Sequence, residues 1–121
     1  MRKYLLHFNK NIKMSLLQLE QNNEKCLLVV DSNNVLKGTL TDGDIRRALL
    51  RGADINSKIK KYIKRKPYFI KVKNFSEFGD NAQQKKIQSL IKKIKDSNID
   101  IIPLVDKFNK VKDIIFVKDF N

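Results

Sequence analysis

The amino-acid sequence predicts a mixed α/β (α+β) fold in which two pseudo-symmetric units pack sheet to sheet with their helices outside. Three observations lead there. Helical and strand-like hydrophobic periods alternate along the chain. The second half repeats the first at an offset of 75 residues. The length, 121 residues, holds one ordinary domain or two half-domains sharing a core, and each half is too small to bury its own sheet face.

Ile12, Leu16 and Leu19 open the pattern at helical spacing. Cys26 to Val30 is an apolar run of strand length, Asp31-Ser32-Asn33-Asn34 is a segment of turn formers, and Val35 to Leu40 returns as the second strand of a hairpin. Ile45, Ala48 and Leu49 predict an amphipathic helix that Gly52 ends in a left-handed cap. In the basic stretch from Lys58 to Lys66, Ile59 and Ile63 are spaced for a helix with one buried edge and a solvated remainder. Pro67 breaks that segment, and Tyr68 to Val72 supplies another strand.

After a loop around Gly79 the pattern restarts. Ile87, Leu90, Ile91 and Ile94 form a helical stripe, Ile101 to Val105 a strand, Asp106-Lys107-Phe108-Asn109 a turn, and Val111 to Val117 a last strand. The repeat matches Ile12, Leu16 and Leu19 with Ile87, Ile91 and Ile94, Val30-Asp31 with Val105-Asp106, Lys37 with Lys112, and Asp44 with Asp119. The chain therefore divides into residues 1–66, a first unit with a linker helix, and residues 67–121, a second unit.

Composition narrows the function. The chain is 41% hydrophobic and 32% charged, the balance of a soluble globular protein, and no apolar run approaches the ~20 residues that cross a bilayer. Met1 to Phe8 is basic then apolar, but shorter in its apolar part than the roughly 7 to 15 residues of a signal-peptide core, so a cytoplasmic location is expected. The single Cys26 has no disulfide partner and suits a small buried hydrophobe. His7, the one histidine, has no metal-ligand spacing around it, and no nucleophile has an assembled base, so no catalytic residue and no metal site are assigned. The net charge of +13 would suit a nucleic-acid binder, yet the lysines spread over nearly the whole chain and form no stripe. Nucleic acid is accordingly a minor reading.

The segment Gly38-Thr39-Leu40-Thr41-Asp42-Gly43-Asp44-Ile45 carries the chemistry. A strand ends and a helix begins there, so backbone N–H groups and the positive end of the helix dipole face an incoming anion. Thr41 offers a hydroxyl to a phosphate or ribose oxygen, and Asp44 a carboxylate that accepts from ribose hydroxyls. Arg46 and Arg47, one turn on, suit a phosphate. A purely structural reading stands beside this one. Thr41 and Asp44 at i and i+3 resemble a capping box, acidic residues favour a helix N-terminus without any ligand, and both arginines suit a solvated helix face.

From Leu27 to Leu49 the chain resembles a CBS motif, whose hallmark is Gly, two spacers, Thr, two spacers and Asp at a strand-to-helix junction, here Gly38, Thr41 and Asp44. The 75-residue repeat agrees, because such motifs occur in pairs. The resemblance implies two β-α-β-β-α units that bind an adenosine-containing ligand such as AMP, ADP or ATP in the clefts between them. It places Thr41 at phosphate or ribose and Asp44 at the ribose hydroxyls, with Gly38, Thr39, Arg46, Arg47 and Asp119 as further candidate contacts. No cofactor is required. It also implies a homodimer that regulates an attached enzyme.

The second copy departs from the hallmark. Asp113 replaces the glycine and Phe116 the threonine, Asp119 alone survives, and the sequence ends before the helix that should follow. One competent cleft is expected, with Phe116 buried in the other. The string from Thr41 to Gly52 is similar to CBS pairs at the N-terminus of sugar-phosphate nucleotidyltransferases and at the C-terminus of arabinose-5-phosphate isomerases. Starting at Met1 with this unit favours the former, as the front part of a longer protein. A structural dimerisation module without ligand is the alternative.

Overall fold

A computed structural model of the chain describes residues 1–73 and 81–120. The loop expected around Gly79 lies outside them. By internal contacts the chain forms two compact units, Met1–Pro67 and Tyr68–Asn121.

In the first unit, β1 (Leu5–His7), α1 (Ile12–Glu20), β2 (Cys26–Val30), β3 (Leu36–Thr41) and α2 (Asp42–Leu50) follow one another. The three strands make one sheet in the order β1-β2-β3, with β1 parallel and β3 antiparallel to β2. All five residues of β2 are buried, as a central strand covered on both faces requires. Leu27, Val29 and Leu40 from the sheet meet Ile12 and Leu19 of α1 and Ile45 of α2 in a single apolar cluster. The sequence periodicity did not single out β1, a strand of three residues that is too short to show a period of its own. It is held by its ladder to β2 and by a 3₁₀ turn before it at Arg2–Tyr4.

The helices carry ordinary ends. Asn11 caps α1 by accepting the Met14 amide at 2.9 Å, and the amides of Ile12 and Lys13 donate to the Ser57 and Ile55 carbonyls. At the end of α2, Gly52 has φ +106°, and the amides of Gly52 and Ala53 donate to the carbonyls of Leu49 and Ala48. That pair of bonds is a Schellman motif, so the expected left-handed cap is present.

The linker helix is not. Between Lys58 and Lys66 only Ile59–Lys61 is helical, as one 3₁₀ turn. Ile59 and Ile63 are buried as their spacing suggested, but they reach the core from a segment that lies back along the unit. Backbone bonds fix it, from Ile59 N to Lys10 O and between Thr39 and Lys64 in both directions. Main-chain pairing to its own unit outcompetes local helix formation in a stretch this short.

The second unit repeats the plan with β4 (Ile70–Lys71), α3 (Asn81–Lys93), β5 (Ile101–Val105) and β6 (Val111–Phe116), in sheet order β4-β5-β6. Its core gathers Val72, Ile87, Ile102, Leu104 and Ile115. Val117, expected to end the last strand, instead begins a 3₁₀ turn, Val117–Phe120. Phe116 is half-buried rather than buried. No helix among the described residues is long and apolar enough to cross a membrane.

The internal repeat is visible bond by bond. In each hairpin the register slips by one residue, at Val29/Val30 and at Leu104/Val105. In each turn an aspartate carboxylate accepts two amides: Asp31 from Asn33 and Val35, Asp106 from Phe108 and Lys110, at 2.8 and 3.0 Å in both cases. In each turn an asparagine takes positive φ, 65° at Asn34 and 64° at Asn109. Each aspartate also faces its repeat-matched lysine, Asp31 with Lys37 at 3.7 Å and Asp106 with Lys112 at 3.9 Å.

Candidate functional site

The candidate site is the junction where β3 hands over to α2. Thr41 is the N-cap, in extended conformation, and its hydroxyl accepts the Asp44 amide at 3.1 Å. Asp44 Oδ2 accepts the Thr41 amide at 2.9 Å, so the reciprocal capping box is complete. The other carboxylate oxygen, Oδ1, accepts from Arg47 at 2.8 Å, and Arg46 pairs with Asp42 at 2.7 Å. The expected supply of open amides is mostly consumed inside the chain, because Asp42 N donates to Lys25 O and Asp44 N to Thr41.

Chemical capacity nevertheless remains. A carboxylate has about four lone-pair sites. Asp44 uses two of them, and its side chain keeps 22% exposure. The carboxylate thus keeps acceptor capacity on its exposed part. The Arg46 and Arg47 side chains are largely exposed and held only by carboxylates one turn away, so either can swing to a phosphate without losing a buried contact.

Gly38 and Thr39 do structural work. A Cβ on Gly38 would stand 2.4 Å from the Lys64 carbonyl oxygen, and the Thr39 backbone both donates to and accepts from Lys64. The glycine of the hallmark is thus required by the returning 63–64 segment. Asp42 and Lys25, which hold the helix entrance and restrain Arg46, were not assigned roles from sequence. The i, i+4 spacing of Asp42 and Arg46 was the available signal.

In the second unit, the Asp113 side chain accepts the amide of its neighbour Ile114, and Asp119 is exposed on the 3₁₀ turn after β6. Phe116, which stands where Thr41 does, has no hydroxyl to accept the Asp119 amide. Cys26 is buried in β2. His7 accepts the Asn9 amide through Nδ1 and meets the Ser32 hydroxyl at 3.0 Å through Nε2. Among the described residues no group of three or more His, Cys, Asp or Glu is arranged to hold a metal ion.

The Asp31 carboxyl is held below the ordinary carboxylate value, chiefly by the Val35 amide and helped by those of Asn33 and the Lys37 ammonium. At Asp106 burial opposes ionisation, but the Lys110 and Phe108 amides with the Lys112 and Lys110 charges outweigh it, and that carboxyl is lowered too.

Residues 1–51 match the CBS domain family. An uncharacterized protein of Helicobacter pylori strain J99 is 37% identical over 57 residues, which is 47% of this chain and 17% of that protein. The chain thus spans a small part of that curated relative's length. Among solved structures, the CBS domain pair of MJ0100, in complex with 5-methylthioadenosine and S-adenosyl-L-methionine, superposes with a TM-score of 0.71 at 22% identity, covering 96% of this chain and 82% of that one. The cytosolic domain of the Mg2+ channel MgtE, in complex with ATP, gives a TM-score of 0.70 at 18% identity over 98% of this chain and 44% of that one. The fold is that of a tandem CBS domain pair.

Proposed function

We propose that the chain is a regulatory module, not a catalyst, that binds an adenine nucleotide at the β3–α2 junction and transmits its occupancy to a covalently attached enzyme domain. The observation that carries this reading is Asp44, fixed by the Thr41 amide and Arg47 and still partly exposed, at the entrance of a helix. In this reading Asp44 accepts the ribose hydroxyls, the Thr41 hydroxyl proton faces the phosphate side, and Arg46 or Arg47 exchanges its carboxylate for a phosphate. Gly38 and Thr39 keep the junction in shape, and Asp119 stands at the equivalent position of the second unit. The adenosine compounds bound by the MJ0100 pair and the ATP bound by the MgtE domain support the choice of ligand class.

The attached domain is, on this proposal, a sugar-phosphate nucleotidyltransferase joining a sugar 1-phosphate to a nucleoside triphosphate in the cytoplasm, with the module at its N-terminal side. A panel of AMP, ADP and ATP in thermal denaturation tests the binding. A true ligand at a hundredfold excess over its dissociation constant adds about 2.7 kcal/mol to stability. No shift with any adenine nucleotide removes the proposal.

A second reading, a dimerisation module without ligand, is favoured by one observation. Met14 and Leu17 on α1, and Leu49 and Leu50 on the neighbouring α2, are exposed, Leu50 at 81%. Ile12 and Ile87, the first apolar residues of the two helical stripes, are by contrast buried inside their own units.

A further inference from the structure

The two units differ along one flank. In the first, the edge of α1 beside β1 is closed by the chain itself. Gln18 Nε2 donates to the carbonyls of Arg2 and Leu5, both at 2.9 Å, and Tyr4 is buried beneath. In the second, the repeat puts Lys93 where Gln18 stands, and the described residues of α3 and β4 border a groove of about 580 Å³. It is lined by Phe69, Lys71, Lys85, Lys86, Ser89 and Lys93, with Ile70 and Leu90 at its floor.

Among the described residues the charges lining this groove are all positive. The segment Asn81–Lys93 contains no carboxylate, and among the described residues none of the four lining lysines is paired with one. Lys93 is instead placed over the Tyr68 ring, 5.8 Å from its centroid. Four lysines line one concavity, their like charges repel one another until an anion joins them, and a concave site focuses that attraction. Phe69 is 45% exposed at the rim, a flat apolar surface beside the charges.

We propose that this groove binds a small polyphosphorylated molecule, its phosphate chain lying on Lys71, Lys85, Lys86 and Lys93 and its apolar or aromatic part resting on Phe69. Size argues for a small ligand. From Lys85 to Lys93 the helix advances only about 12 Å, and the volume falls within the ~300–1,000 Å³ of small-molecule sites. The groove belongs wholly to the second unit, so this inference does not rest on the β3–α2 reading.

Calorimetric titration of the whole chain with sodium tripolyphosphate, with ATP and with a short oligothymidylate, at moderate salt, tests it. The expected result is tripolyphosphate binding that weakens about tenfold or more in the Lys85→Gln/Lys93→Gln variant and is unchanged by Asp44→Ala. Phe69→Ala weakens ATP at this groove while leaving tripolyphosphate alone, which separates a nucleotide from inorganic polyphosphate as the occupant. No tripolyphosphate binding by the native chain, equal binding by the double lysine variant, or oligothymidylate binding far more tightly than either small anion would each overturn the proposal. Loss of the Asp44-dependent signal alone bears on the β3–α2 junction and leaves the groove standing.

Discussion

Asp44 serves the fold and, on our reading, the ligand with the same two oxygens, and the two duties separate by substitution. Asparagine keeps an oxygen for the Thr41 amide but has no charge for Arg47 and fewer acceptor sites for hydroxyls. Urea denaturation is therefore expected to show Asp44→Asn costing less than Asp44→Ala, which leaves the Thr41 amide without its acceptor at about 0.5–1.5 kcal/mol. Both variants should lose the nucleotide-dependent stabilisation. Gly38 gives a sharper structural test. An added Cβ would run into the Lys64 carbonyl oxygen, a backbone atom that the Thr39 bridge holds in place, so Gly38→Ala should cost about 1–3 kcal/mol. At Gly43 the nearest atom to an added Cβ is the flexible end of Arg47, at 3.3 Å, so Gly43→Ala should be neutral or mildly stabilising in the same assay.

At the level of elements, the paired turns make a pH prediction. Both Asp31 and Asp106 have carboxyls lowered from their ordinary value, so the folded state prefers their ionised forms. Their contribution is complete above the unfolded carboxylate value of about 3.9 and is lost as pH falls through the lower folded values. Native stability should drop more steeply than that of Asp31→Asn/Asp106→Asn over that acid window, measured by urea unfolding at a series of pH values. The two β-hairpins, the turns between their strands and the helix from Asp42 were legible in the sequence because each has a local signal: an apolar run, a turn segment or a cap. β2 and β5 match their expected spans residue for residue. The linker helix failed because Ile59 and Ile63 at i and i+4 serve equally well in a segment pinned by backbone pairing to Lys10 and Thr39. The chemistry of the β3–α2 junction was legible in kind. What the sequence could not show was that both candidate roles of Thr41 and Asp44 draw on the same atoms, because that depends on hydrogen-bond directions.

At the scale of the molecule, each unit has a core of its own, and the proposed pairing of chains rests on the apolar residues left outside those cores. Sedimentation equilibrium should find a dimer, and Leu17→Glu/Leu50→Glu should shift it toward monomer without loss of helix content, since both residues are exposed. A native monomer would count against the pairing. The central claim, an adenosine ligand gripped where β3 meets α2, is tested most directly by following backbone amide resonances during titration with AMP. The account predicts saturable shifts concentrated at Thr41, Asp42, Gly43 and Asp44, abolished in Asp44→Asn. Shifts that saturate elsewhere while these four amides stay still, or no saturable shift at all, would contradict it.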